Sequence, residues 1–193
     1  KSSVMRWQGH RVTVVDLPGT YSLTAYSQEE LVARNYILDE HPAVIVNVVD
    51  ASNLERNLYL SIQLMEIGIP MVIALNMVDT AERRGYKIDA ETLSRLLGVP
   101  VIPTIACRGK GIDEIAAASM AILLDKEQAR PAPLSYGHGV DDEVLALTEE
   151  IRKIPALNTH LSPAWLAVKV LEKDERAVEE IKKRAPEETA ELF

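Results

Sequence analysis

Two short runs of apolar residues constrain the fold of this chain more than any other feature. "AVIVNVVD" (43–50) and "MVIALN" (71–76) are nearly continuous, short and rich in β-branched residues. A strand that is apolar on both faces belongs in the middle of a parallel sheet that is covered by helices. "VPVIPT" (99–104) is a further run of this kind. The three runs therefore predict parallel strands of a buried sheet.

Helical patterns alternate with these runs. Ser27-x-x-Glu30 is a capping-box pattern that opens a predicted helix over 27–38. Further helices are predicted from Leu54 to Met65, ahead of Gly68, and over 89–97 and 112–124. Alternation of strands and helices predicts an α/β fold, a doubly wound and mostly parallel sheet with helices on both faces.

The two ends of the chain depart from this alternation. "VMRWQGHRVTVVD" (4–16) predicts a hairpin that turns at Gly9. After "KEQARPAPLSYGHG" (126–139) no strand-like run follows, and three helical patterns predict a small all-α appendage. We therefore expect an α/β domain over residues 1–128, a linker over 129–134 and a helical domain over 135–193.

Composition narrows the class of protein. The net charge of -8 disfavours general nucleic-acid binding, which needs clustered Lys and Arg. A single cysteine, Cys107, allows no disulfide within the chain and favours a reducing compartment. The longest apolar runs are far short of the roughly 20 residues that span a bilayer. The chain does not begin with Met, and it ends within a helical pattern, so we expect it to be part of a longer protein.

Candidate ligand-binding residues follow the predicted strands, because ligands of open α/β sheets lie outside the carboxyl ends of the strands. Asn76-Met-Val-Asp79 follows the run over 71–76. An ionised carboxylate accepts two hydrogen bonds, which matches the adjacent N1–H and N2 amine donors of guanine and not the adenine edge. Asn76 would hold the loop together. The alternative is that this tetrapeptide forms only a helix N-cap or an Asx-turn.

Asp16-Leu-Pro-Gly19 follows the second strand of the hairpin. Asp16 can hold Mg²⁺, directly or through water, and Gly19 can bring its backbone N–H to a terminal phosphate. Alone, this pattern also fits a capped loop. The order D-x-x-G, then N-x-x-D about two β-α units later, predicts a guanine-nucleotide site.

With these motifs the sequence resembles the G domain of the bacterial ferrous-iron transporter FeoB family, within the wider Ras-like GTPase class. "VVDLPGTYSLTAYSQEE", "VNVVDASNLERNLYLSIQLMEIGIPMVIALNMVDTAERRG" and "LSRLLGVPVIPTIACRGKGIDEI" carry the resemblance, which covers residues 4 to about 125. The helical tail resembles the family's helical spacer domain, with fewer diagnostic residues.

The resemblance implies roles for individual residues. The nucleotide-binding set comprises Asp16, Gly19, Asn76, Asp79, Thr104 and Ala106. Residues 19 to about 36 are implied to form switch II, with Leu17, Pro18, Thr20 and Tyr21 at its start. No glutamine follows D-x-x-G to orient the attacking water, so catalysis would rest on the switch I backbone or on Glu29 or Glu30, although Glu30 also fits a capping role. In the fifth motif Ile105 replaces serine, from which we expect weak affinity and fast release of nucleotide.

The sequence contains no G-x-x-x-x-G-K-[ST], the loop that cradles nucleotide phosphates. We therefore expect the phosphate-binding loop and switch I in a longer parent protein, and no GTP hydrolysis by these residues alone. The resemblance implies GTP or GDP and Mg²⁺ as ligands, and K⁺ as a stimulating ion.

By the same resemblance the chain is a GTPase module on the cytoplasmic side of the bacterial inner membrane. Its implied partners are a transmembrane permease in the same polypeptide, a small accessory protein and further copies of itself, and no nucleic acid. Two alternatives stay open. One is a soluble regulatory GTPase of ribosome or tRNA-modification type, which the charge of -8 disfavours. The other is a non-hydrolysing interaction domain on a degenerate nucleotide fold.

Overall fold

A computed structural model describes residues 1–23, 27–124, 134–157 and 162–186, apart from the side chains of Arg176 and Glu180. The chain divides into two compact units. The first comprises Lys1–Leu64 and Ile69–Ala132, and the second comprises Met65–Gly68 and Pro133–Phe193. Most of the predicted linker, residues 129–133, lies outside the described residues.

The first unit opens with the predicted hairpin. Strands β1 (Ser2–Trp7) and β2 (His10–Val15) pair antiparallel, with Ser2 opposite Val15. The turn has positive φ at both Gln8 and Gly9, which is the backbone geometry that suits the twist of a two-residue hairpin loop. The two strands form a sheet of their own.

The predicted parallel sheet is confirmed. Strands β3 (Ile45–Asp50), β4 (Met71–Asn76) and β5 (Val101–Pro103) pair in parallel in that order. Asp50 and Asn76 are register partners, so the polar ends of β3 and β4 lie side by side. All of β4 except Asn76 is buried, as expected of a central strand. Strands β3 and β5 are shorter than the apolar runs that predicted them.

Eight helices lie in the described part of the chain. In the first unit they are α1 (Gln28–Glu40), α2 (Leu54–Ile67), α3 (Val78–Arg83), α4 (Ala90–Leu97) and α5 (Ile112–Leu124), and in the second α6 (His138–Arg152), α7 (Pro163–Leu171) and α8 (Glu175–Arg184). The last three residues of α2 belong to the second unit. The sequence analysis did not predict α3, whereas the other helices follow its patterns. Among the described helices, none is both long enough and apolar enough to cross a bilayer.

Helices cover both faces of the parallel sheet, as predicted. On one face Val72 of β4 packs with Ile122 and Ile115 of α5. Asn47 lies beside Ile73 in the register, on the opposite face, because successive strand residues point to opposite sides. There the buried Asn47 amide donates to Ser61 Oγ of α2 at 2.7 Å. This bond fixes the position of α2 along β3.

The second unit has a small core of its own. It is built from apolar side chains of its three helices and of the segment that joins α6 to α7, including Ile151, Leu157, Trp165, Leu166 and Ile181. The three predicted helices of the tail are confirmed.

The second unit contains a buried ion pair that a more exposed tyrosine joins. The side chains of Lys169 and Glu66 are each 6% exposed, with Nζ and Oε2 3.6 Å apart. Tyr136 donates to the other carboxylate oxygen at 2.8 Å. Burial and this hydrogen bond raise the pKa of Tyr136 far above that of a free phenol.

Candidate nucleotide-binding site

The polar residues at the ends of β3 and β4 have different local roles. Asp50 Oδ1 accepts from the Ser52 N–H at 2.8 Å and caps the 3₁₀ turn Ala51–Asn53. Its carboxylate therefore has a structural partner within its own loop. Asn76, the neighbour of Asp50 in the register, instead reaches across to the loop that follows β5.

Asn76 links the loop after β4 to the loop after β5. Its Oδ1 accepts from the Ala106 N–H at 3.0 Å and from the Thr104 hydroxyl at 3.3 Å. Thr104 is 1% exposed, and its own N–H donates to Leu75 O at 2.8 Å. By the family resemblance the Ala106 N–H would donate to a guanine carbonyl, and here it is already satisfied within the protein. A bound base has to take this donor over from Asn76 or share it.

Asp79 lies in the first turn of α3 and does not cap that helix. The N-cap is Met77, whose φ of +62° places a non-glycine residue in the left-handed region and which forms no side-chain cap. The alternative that Asn76-x-x-Asp79 forms only a helix N-cap is therefore wrong, because neither of its polar side chains caps α3. Its carboxylate oxygen lies 3.8 Å from Arg83 Nη2 and 3.9 Å from Arg108 Nη2, beyond hydrogen-bonding distance.

A cavity of about 450 Å³ opens beside Asp79. This volume is within the range of small-molecule sites. Its lining combines one carboxylate, two guanidinium groups and apolar surface: Asn76, Met77, Asp79, Thr80, Arg83, Ile105, Cys107 and Arg108. Such a lining suits a flat heterocycle that presents hydrogen-bond donors at one edge.

The loop after β5 is closed by its own backbone. The Ile105 N–H donates to Lys110 O at 3.1 Å, and the Lys110 N–H donates back at 3.3 Å. The loop ends at Gly111, where φ is +87° and an added Cβ would lie 2.6 Å from Pro103 O. This backbone pairing supports the loop although Ile105 stands where related GTPases carry serine.

Asp16 and Gly19 are exposed after β2 and are not among the residues that line the cavity. The N–H and C=O of Asp16 bond to Lys1. Within the described residues no hydrogen bond or ion pair engages the Asp16 carboxylate, and no three His, Cys, Asp or Glu side chains are grouped to hold a metal. The structure therefore brings together Asn76, Asp79, Thr104 and Ala106, and leaves the Asp16–Gly19 loop apart from them.

The two candidate catalytic carboxylates lie in the first turn of α1. Glu30 Oε2 accepts from the Ser27 N–H at 3.2 Å, and Ser27 Oγ accepts from the Glu30 N–H at 3.1 Å. This reciprocal pair is the predicted capping box. Glu29 is exposed. The capping role of Glu30 is thus established, whereas a catalytic role for Glu29 or Glu30 stays a prediction.

Sequence reasoning missed part of the cavity lining. Met77 is a variable position of Asn76-x-x-Asp79, and no pattern in the sequence gave a role to Thr80, Arg83 or Arg108. The spacing of Arg83 could have indicated its position, because it stands four residues after Asp79 on one helix. Side chains at this spacing lie on the same face, and the Arg83 guanidinium lies 3.8 Å from the Asp79 carboxylate. Arg108 lies far from Asp79 in sequence, and only the fold brings them together.

Comparison with known proteins identifies the family. The family model "Ferrous iron transport protein B" matches residues 1–119, and the model of the FeoB cytosolic helical domain matches residues 136–192. This chain belongs to the ferrous iron transport protein B family. The resemblance seen in the sequence is thereby confirmed, and so is the predicted combination of an α/β GTPase fold with a helical appendage.

Individual relatives span most of the chain. A fusion protein of Fe(2+) transport protein A and the Fe(2+) transporter FeoB from Porphyromonas gingivalis is 43% identical over 176 residues, 90% of this chain and 21% of that protein. The cytosolic domain of the T. maritima FeoB iron transporter in a GDP form superposes with a TM-score of 0.84 at 29% identity, covering 93% of this chain and 69% of that one. Its GMPPNP form gives 0.83 at 30% identity, with the same coverage.

This chain therefore spans about a fifth of the length of the Porphyromonas relative. The Porphyromonas relative is named as a fusion of Fe(2+) transport protein A with an Fe(2+) transporter, and the T. maritima cytosolic domain has been solved in GDP and GMPPNP forms.

Proposed function

We propose that this chain is the guanine-nucleotide-binding, GTP-hydrolysing module of a ferrous-iron membrane transporter. The observation that carries the proposal is the cavity beside Asp79, with the Asn76 link to Thr104 and Ala106 behind it. The GDP and GMPPNP forms of the T. maritima cytosolic domain support the same ligand class.

Base recognition is assigned to Asp79. Among the described residues its carboxylate makes no hydrogen bond, and the guanidinium groups of Arg83 and Arg108 lie 3.8 and 3.9 Å from it. A guanine base offers two adjacent N–H donors, which satisfy both carboxylate oxygens, whereas adenine presents an acceptor there and leaves the carboxylate without these hydrogen bonds. Met77 supplies apolar surface for one face of the base.

The phosphate end of the nucleotide is assigned to Asp16 and Gly19. An uncommitted carboxylate fits Mg²⁺, which binds proteins through one or two carboxylates and completes its shell with phosphate oxygens and water. When bound, this ion would neutralise charge on the phosphates. Gly19, with open space around its Cα, can place its N–H against a phosphate oxygen. Stimulation by K⁺ stays part of the proposal, without an assigned ligand in this chain.

Hydrolysis is proposed for the longer protein, because this sequence lacks G-x-x-x-x-G-K-[ST] and that loop is needed to hold the phosphates. Loss of the γ-phosphate would release the segment that follows Gly19 and signal to a permease in the same polypeptide. In this proposal the module lies on the cytoplasmic side of the bacterial inner membrane. A small accessory protein and self-association remain proposed partners, and the charge of -8 argues against nucleic acid.

The test uses the longer protein that includes this chain. GDP and ADP affinities are measured by calorimetry, and phosphate release from GTP is followed with and without Mg²⁺. We expect strong preference for GDP, Mg²⁺-dependent release, and loss of the preference in Asp79→Ala. Equal affinity for GDP and ADP in the unaltered protein would contradict the proposal and favour a non-hydrolysing interaction domain.

A further inference from the structure

The segment that follows Gly19 is held on helix α2 at two points. The guanidinium carbon of Arg56 lies 3.8 Å from the ring centroid of Tyr21. The Leu23 N–H donates to Gln63 Oε1 at 2.7 Å in a buried setting. All four residues belong to the first unit of the chain.

The two contacts share one face of α2. Arg56 and Gln63 are seven residues apart, about two turns and roughly 10 Å along the axis. Tyr21 and Leu23 are two residues apart, and an extended chain covers about 7 Å in that distance. Residues 20–23 therefore run along α2 in the same direction as the helix. The length of the Tyr21 side chain covers the rest of the distance between Arg56 and Gln63.

The segment is also stiffened from within. Thr20 Oγ1 accepts from the Ser22 N–H at 3.2 Å and donates to Ser22 O at 2.6 Å. Leu23 is 7% exposed and Gln63 is 5% exposed, so the bond between them is shielded from water. Loss of a buried hydrogen bond leaves an unsatisfied group, which costs more than the bond itself contributes.

Helix α2 is in turn fixed to the sheet. The bond from Asn47 of β3 to Ser61 lies between Arg56 and Gln63 in the sequence of the helix. We call the Tyr21–Arg56 and Leu23–Gln63 contacts the seat on α2. Gly19 precedes Tyr21 by only two residues, so the seat limits Gly19 to within about 7 Å of the Tyr21 contact. The position of Gly19 therefore depends on residues that lie outside every nucleotide motif.

From this geometry we propose that Arg56 and Gln63 are positioning residues for GTP hydrolysis. They seat residues 20–23 on α2 and thereby fix the Gly19 N–H relative to the terminal phosphate. The inference rests on the proposed function, since it assumes that GTP is the substrate. It predicts that loss of the seat lowers kcat for GTP and leaves GDP affinity unchanged, because GDP lacks the phosphate that Gly19 contacts.

The experiment compares variants of the longer protein that includes this chain. In Gln63→Leu, which keeps the side-chain size and removes the acceptor, amide exchange of Leu23 should accelerate at least about tenfold. In the same variant kcat for GTP should fall at least about tenfold while the Kd for GDP changes less than about twofold. Tyr21→Leu, on the exposed contact, should lower kcat by about two- to fivefold.

Tyr59→Leu is the matched control. Tyr59 is 54% exposed and Tyr21 is 53% exposed, and within the described residues Tyr59 makes no hydrogen bond or ring contact, so its loss should leave kcat unchanged. Should Gln63→Leu fail to fold, Tyr21→Leu and Arg56→Ala change only exposed groups and carry the same test.

Two results would overturn the proposal. The first is an unchanged kcat in variants whose Leu23 amide has lost protection. The second is a parallel fall in GDP affinity and kcat, which would indicate a general structural role. An unaltered protein that neither hydrolyses GTP nor selects guanine would instead refute the proposed function, whereas Leu23 exchange reports the seat itself in either case.

Discussion

Gly111 is the position where one added methyl group should disturb the candidate site most. It ends the loop after β5, next to Thr104, which bonds to Asn76. Its φ is +87°, and an added Cβ would lie 2.6 Å from both Pro103 O and Thr104 Cγ2 and 3.2 Å from Thr104 Cα. Two of these three atoms are backbone, so the clash cannot be relieved by rotating a side chain.

The cost of Gly111→Ala has two parts. A left-handed backbone costs an L-residue about 1–2 kcal/mol. Forcing a methyl group into a packed site adds about 1–3 kcal/mol through backbone shifts. Gly109 in the same loop is the matched control, because its φ is +67° and nothing lies within 4 Å of the added Cβ. Gly109→Ala should therefore show only the first part.

Urea unfolding followed by circular dichroism measures the two costs. We expect the free energy of unfolding to fall by about 2–5 kcal/mol in Gly111→Ala and by about 1–2 kcal/mol in Gly109→Ala. The dependence of this free energy on urea concentration should stay unchanged in both variants. GDP affinity should fall in Gly111→Ala, because Thr104 and the Ala106 N–H move with the loop. Equal losses of stability in the two variants would refute the reasoning, since they would show that Gly111 has room for a methyl group.

Three further predictions concern other parts of the chain. Lys169→Met should lower the free energy of unfolding in urea by about 3–5 kcal/mol, because it leaves the buried Glu66 carboxylate without its cationic partner. The exposed Lys153→Met should lower it by about 1 kcal/mol or less. Similar losses in the two variants would contradict this. Ile105→Ser should slow GDP release by about two- to tenfold in stopped-flow measurements, since the hydroxyl adds a hydrogen bond to the loop; equal off-rates would count against it. Hydrogen bonds from Thr92 lower the pKa of Asp89 at the N-cap of α4. The ionised Asp89 carboxylate therefore stabilises the fold fully above the ordinary carboxyl pKa, and this stabilisation is lost as the pH falls through the lowered pKa. Asp89→Asn, which does not titrate, should flatten the acid side of a plot of unfolding free energy against pH, and an unchanged acid side would refute this.

Features that rest on local spacing were predictable from the sequence. The runs over 43–50 and 71–76 indicated buried parallel strands because their length and apolar character leave few other structures. Ser27 and Glu30 indicated a helix start because the capping box is a contact between residues three apart. The strand-end motifs indicated a guanine-nucleotide site, since their order and spacing are specific, and the longer stretches around them carried the resemblance to the family.

One short helix and the features that rest on long-range contacts were not predictable. Helix α3 has only six residues, too few for an amphipathic period, and it starts from Met77 in a left-handed conformation that favours glycine or asparagine. The bond from Ala106 to Asn76 joins residues 30 apart, and the bond from Leu23 to Gln63 joins residues 40 apart. In one sequence no local pattern marks such pairs.

The most direct test of the account is the base preference of Asp79→Asn in the longer protein. Xanthine carries a carbonyl where guanine carries the N2 amine, so an amide at this position can donate to xanthine and cannot accept both guanine donors. We predict that affinity for GDP falls at least about 100-fold and that xanthosine diphosphate becomes the preferred ligand. The exposed Asp113→Asn in α5 is the matched control. An Asp79→Asn protein that still prefers GDP would contradict the assignment of this cavity to guanine.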